Sequence, residues 1–172
     1  MKDKFVCTKC GLKHLYETLI EYPLPAAISN VTSGRKAGEV KLISKNAYII
    51  QGEFIIMCIL RIPIHEIDDD LEIHTWVQIN KEELTKVRDW TKENYNDLLT
   101  ADAEILMTGS LVYPIPTYGI SDYPIVKVNY LSSGLFPEVK LIHSTTQLYE
   151  DWKFGITLKR LETILIHLIH GL

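Results

Sequence analysis

The residues best suited to chemistry stand at the start of the chain, as Cys7-x-x-Cys10-Gly11 followed by His14. A Cys-x-x-Cys turn sets two thiolates at the separation a tetrahedral zinc accepts, and a histidine shortly beyond supplies a third ligand. A closed structural site needs a fourth, which on this reading Cys58, His65, His74 or His143 must bring through the fold. Lys2, Lys4, Lys9 and Lys13 surround the pair and favour thiolates. Two other readings stay open: ordinary thiols in an N-terminal turn, or a redox pair. Redox use ranks last, because thioredoxin-like pairs open a helix after a strand. With zinc bound, a structural role outranks a catalytic one.

Other catalytic templates fail on inspection. His65-Glu66-Ile67-Asp68-Asp69 begins like His-Glu-x-x-His, but Asp69 stands where the second histidine must be. Nucleic-acid deaminases need a His-x-Glu that is missing here. Gly34-Arg35-Lys36-Ala37-Gly38 lacks the spacing of a phosphate loop, and no Gly-x-Ser-x-Gly elbow occurs. His167 and His170 lie three apart near the end of a helix and could share a metal, but cations there also suit the macrodipole, and a solvated face is the stronger reading. His74 and Trp76 share a strand face and read as packing under another element, with a ligand pocket as the weaker option. The acidic turn carrying Asp68, Asp69 and Asp70 reads first as a solvated loop and, if functional, as a grip for a cation or a contact surface for a basic partner.

The elements that must position these residues follow from composition and periodicity. The chain has 172 residues, 47% of them apolar and 23% charged, enough to fill one core without disulfides. A net charge of −4 lacks the basic footprint that binding to nucleic-acid phosphates requires. No signal peptide or membrane-spanning run is legible, so a cytoplasmic location is expected. The organisation expected is one domain, 1–172. Residues 1–16 form the knuckle, 17–44 a loop-rich segment with one or two helical turns, 45–143 a sheet with one inserted helix, and 144–172 a helical end.

Within the sheet, Lys45 to Gln51 and Glu53 to Ile64 read as a hairpin or bent strand, and Leu71 to Asn80 alternates with period two. Leu71, Ile73, Thr75, Val77 and Ile79 point inward, opposite Glu72, His74, Trp76, Gln78 and Asn80. Asn80 caps a helix from Lys81. Glu104 to Tyr113 is a strand, and Tyr123 to Leu131 and Leu135 to His143 form a hairpin. Thr157 caps a last helix whose Leu158, Leu161, Ile164, Leu165, Leu168 and Ile169 make one apolar face.

Read end to end, the chain resembles an uncharacterised bacterial domain-of-unknown-function family. Phe5, Cys7, Cys10, Gly11 and His14 carry its opening motif, Gly52, Glu53 and Ile62-Pro63-Ile64 a strand motif, and Trp76, Val77, Glu82 and Glu83 a strand-to-helix motif. Gly134 and Leu135, then Gly155, Ile156, Thr157, Leu158 and Arg160, match its last segments. Residues 16–44 and 84–122 depart from the pattern. The resemblance implies a fold and a knuckle but no reaction.

The expected architecture is therefore a single α+β domain: a curved, mainly antiparallel sheet, a zinc-ribbon-like cysteine knuckle, and a C-terminal helix packed on the sheet. The expected ligands are Cys7, Cys10 and His14 for zinc. The expected function is a protein-binding module, such as an immunity-type inhibitor of a toxin, contacting its partner through Asp68, Asp69 and Asp70 and using neither nucleic acid nor membrane. The alternative is a zinc-dependent hydrolase with an open Cys-Cys-His site.

Overall fold

A computed structural model describes residues 4–23, 40–44, 46–50, 53–85, 104–112, 115, 118, 124–131, 136–142 and 145–171. Ten strands occur among them: β1 (Lys4–Val6), β2 (Lys13–Leu15), β3 (Leu19–Glu21), β4 (Val40–Ser44), β5 (Ala47–Ile50), β6 (Glu53–Ile64), β7 (Asp69–Ile79), β8 (Glu104–Leu111), β9 (Ile125–Leu131) and β10 (Glu138–Leu141). Two helices, α1 (Gln147–Phe154) and α2 (Leu158–His170), end the chain.

Strands β6 to β10 run up and down, each antiparallel to the next, and β10 returns to pair with β6. An odd number of alternating strands brings the last one parallel to the first, so a five-membered ring closes only through one parallel seam. That seam is short: Glu138 pairs with Ile59, whose N–H donates to the Pro137 carbonyl at 2.9 Å. Arg61 braces it from outside, donating to Glu138 at 3.1 Å and to Glu72 of β7 at 2.9 Å. The long strands β6 and β7 also serve a side sheet, with β5 and β4 continuing from β6 and β3 lying parallel along β7.

The period-two reading of β7 holds. Leu71, Ile73, Thr75, Val77 and Ile79 are buried and stand opposite Ile62, Leu60, Cys58, Ile56 and Phe54 of β6. Met107, Leu111, Val126, Val128 and Val139 complete the interior, and Leu148, Leu161, Ile164 and Leu165 bring both helices onto the same core. On the other face of β7, Trp76 is buried against Tyr48 and Ile55, and the Phe136 ring lies 5.7 Å from His74. Protein side chains therefore cover both, as the packing reading required.

The segment 17–44 differs from expectation. Leu19–Glu21 is extended rather than helical, because its backbone pairs with β7 from Leu19↔Glu72 to Glu21↔His74. Residues 40–44 add β4, and 24–39 lie outside the described residues. The helix expected from Lys81 is present at 81–85, with Asn80 Oδ1 accepting the Glu83 N–H at 2.9 Å; the rest of the expected helix lies outside the described residues.

The Gly155-Ile156-Thr157 motif now has a physical reason. Gly155 has φ +79°, and a Cβ there would stand 2.9 Å from the Pro63 carbonyl oxygen. That close approach lets Ile156 N–H donate to Pro63 O at 2.7 Å and His65 N–H to Ile156 O at 2.9 Å. Thr157 caps α2 by accepting from Arg160 N–H at 3.1 Å, and Glu66 accepts the Leu158 N–H at 2.9 Å. The turn between β6 and β7 is thus bound to the start of α2. No helix among the described residues is long and apolar enough to cross a membrane.

Candidate metal centre

The knuckle is a hairpin in which β1 and β2 pair antiparallel, with Phe5 opposite His14. Gly11, at φ +72°, lets the turn close, its N–H donating to the Cys7 carbonyl at 2.9 Å while Cys7 N–H donates to Leu12 O at 2.8 Å. The turn therefore carries both cysteines, and the returning strand carries His14. Phe5 is buried in the main core, and Tyr16 reaches α2, donating from Oη to Glu162 Oε1 at 2.5 Å.

That docking brings the end of α2 to the knuckle. One donor atom from each of Cys7, Cys10, His14 and His170 lies within 4.8 Å of the others. Cys7 Sγ stands 3.3 Å from His170 Nε2, and Cys10 Sγ 3.3 Å from His14 Nε2. Bond lengths of about 2.3 Å to sulfur and 2.0–2.1 Å to nitrogen place the donors of a tetrahedral zinc about 3.3–3.8 Å apart, so the group fits with slight contraction. Cys7 is buried, Cys10 exposed, and both imidazoles are half-buried. Burial opposes ionisation of Cys7, and hydrogen bonds from the backbone N–H groups of Cys10 and Lys9 oppose burial. Together with the His170 ring and the Cys10 thiol, they outweigh it and bring the pKa down from 9.0 to about 6, a lowering by hydrogen bonds rather than by the lysines the sequence pointed to.

The structure brings together all three expected ligands and supplies a fourth from the residue read as a solvated helix end. His170 is not free, whereas His167 stays outside the group. The other candidates are elsewhere. Cys58 is sealed inside the barrel, where burial pushes its thiol far up. His65 lies in the turn after β6, His74 stands between Glu21 and Glu72 on β7, and His143 falls outside the described residues. A signal for His170 was present: Glu162, Ile166 and His170 recur at i, i+4 and i+8, a second stripe beside the main apolar face. Glu162 on that stripe is the partner of Tyr16.

Residues 6–156 match the family described as "Uncharacterized protein conserved in bacteria (DUF2199)". The chain belongs to this family. No curated protein and no solved structure matches it. The DUF2199 match contains Cys7, Cys10, His14 and the Gly155-Ile156 turn, while His170 lies beyond it. Asp68, Asp69 and Asp70 sit at the turn from β6 into β7, the first two exposed and the third half-buried. None of the three pairs with a cation among the described residues.

Proposed function

We propose that this DUF2199 chain is a binding protein rather than an enzyme, and that a zinc ion held by Cys7, Cys10, His14 and His170 clasps its two ends. The observation that carries this is the fourth donor. Two thiolates and two neutral imidazoles fill every tetrahedral position and cancel the metal's charge, which leaves no place for the water an open hydrolytic site uses. The hydrolase alternative, built on three ligands and water, is therefore not favoured.

Contact with a partner is assigned to the β6–β7 turn. Its carboxylates at Asp68, Asp69 and Asp70 carry no paired cation among the described residues, and the Glu66 and His65 bonds fix the turn to the start of α2. Such a mount suits a basic protein surface. An immunity role against a toxin draws no support from fold, site or family and is not carried further.

The test is metal content followed by cobalt substitution. One zinc per purified chain and an intense tetrahedral cobalt spectrum with thiolate charge-transfer bands are expected. A metal-free chain grown with ample zinc, or a five- or six-coordinate cobalt spectrum, would overturn the reading.

A further inference from the structure

The three cysteines occupy two opposed settings. Cys58 faces Thr75 inside the barrel and is fully buried. Cys7 and Cys10 share a four-residue turn, their sulfurs within 4.8 Å, one covered and the other open to solvent. What these two hold is specific. α2 has no fully buried residue after Leu165, and Leu168 and Ile169 are 37% and 47% exposed. His170 ties that last turn to the knuckle, through Cys7 at 3.3 Å and edge-on against the His14 ring.

We infer that Cys7 and Cys10 form a peroxide-responsive modification site, at which disulfide formation expels the metal and frees the last turn of α2. The inference rests on the reading that a metal is held there. The exposed Cys10 thiolate attacks a peroxide oxygen, the O–O bond breaks, and a sulfenic acid forms as hydroxide leaves. The Cys7 thiolate then attacks Cys10 Sγ, the S–S bond forms, and the S–O bond breaks with departure of a second hydroxide. Two thiolates lose two electrons, and the peroxide with two solvent protons becomes two waters. A disulfide is a poor ligand, so the dication leaves to water, and two imidazoles alone do not retain it. The resolving thiol three residues away is what makes a reversible product rather than a sulfinic acid.

The freed turn also walls a groove of about 530 Å³ that includes Leu15, Leu19, Leu165, Leu168 and Ile169, so oxidation alters that surface too. Cys58 is the internal control, because a buried neutral thiol is inert to peroxide.

The experiment treats the zinc-loaded full chain with graded hydrogen peroxide. It follows zinc with a chromogenic chelator, thiols by titration, cross-links by peptide mass mapping, and residues 166–171 by hydrogen exchange. The expected result is a fall from three thiols to one in step with loss of the zinc, and a Cys7–Cys10 peptide lighter by about 2 Da. Exchange in the last turn rises about tenfold, and reductant with zinc restores the start. Cys58→Val keeps the whole response.

A chain without metal before oxidant overturns the metal reading and this inference with it. A chain that carries zinc, and keeps it while its thiols survive peroxide, overturns the inference alone. So does zinc loss accompanied by Cys10 heavier by about 32 Da with no cross-link.

Discussion

Replacing His170 by alanine removes the one metal donor that α2 contributes and leaves Cys7, Cys10 and His14 together in a single hairpin. Those three still capture zinc, with water in the fourth position. What disappears is a cross-link between residues 163 apart. Closing a loop of that length lowers the entropy of the unfolded chain by an amount worth about 5 kcal/mol in the chain-entropy treatment, a ceiling that real cross-links reach only in part, typically about 2–4 kcal/mol. For a chain of this size each kcal/mol moves the midpoint by about 2–4 °C, so the zinc-loaded variant should melt about 5–15 °C below the parent. Thermal unfolding followed by circular dichroism is the assay, run with zinc and again with a strong chelator. The gap should close in chelator, since the metal is what distinguishes the two proteins. His167→Ala, one turn earlier and outside the donor group, should melt with the parent. A zinc-loaded His170→Ala protein melting within about 2 °C of the parent, or a gap undiminished by chelation, would refute the clasp.

Gly155→Ala should destabilise the protein by about 2–4 kcal/mol, read as a lower urea midpoint at unchanged slope, because the new Cβ meets Pro63 O at 2.9 Å on a backbone of φ +79°. Thr75→Val should raise stability by about 1 kcal/mol in the same assay: the Thr75 hydroxyl is fully buried without a hydrogen-bond partner among the described residues, and valine keeps its shape. Alkaline unfolding should begin between pH 10 and pH 12. Burial, and for Tyr16 also Glu162, raises Tyr16 and Tyr22 from 10.0 to about 12. A raised folded-state value gives stability that is complete below pH 10 and lost as pH climbs through 12. Phenolate absorbance should therefore rise together with loss of ellipticity, and full tyrosine ionisation in a still-folded protein would contradict this.

The barrel was largely legible because its signal is local. Period-two alternation in β7, the β9–β10 hairpin and the Thr157 cap each depend on a few neighbouring residues, and each forms as read. Closure of the ring was not legible, since the β10–β6 seam rests on one pairing, Glu138 with Ile59, between residues far apart in sequence. Strand β3 was missed for a related reason. Leu19-Ile20-Glu21 carries no alternation of its own and becomes extended only because β7 offers it an edge. Three of the four site residues could be found from spacing in one hairpin, whereas His170 required knowing that the knuckle docks on the Glu162, Ile166, His170 stripe.

That division between local and distant ligands bears on why a clasp is needed at all. Strands β1 and β2 are three residues each, and a two-stranded hairpin of that size is marginal alone in water. Phe5 and Cys7 in the core and the Tyr16–Glu162 bond locate it on the protein, but the far side of the turn, with Cys10, stays exposed. A metal shared with His170, as proposed, would fix that turn and the otherwise exposed end of α2 in a single step, so that each would stabilise the other. The three hairpin ligands can assemble before the fold is complete, because their spacing is local. The fourth can join only when α2 has packed through Leu161, Ile164 and Leu165, so full coordination, unlike metal capture, would report that the knuckle and α2 have met.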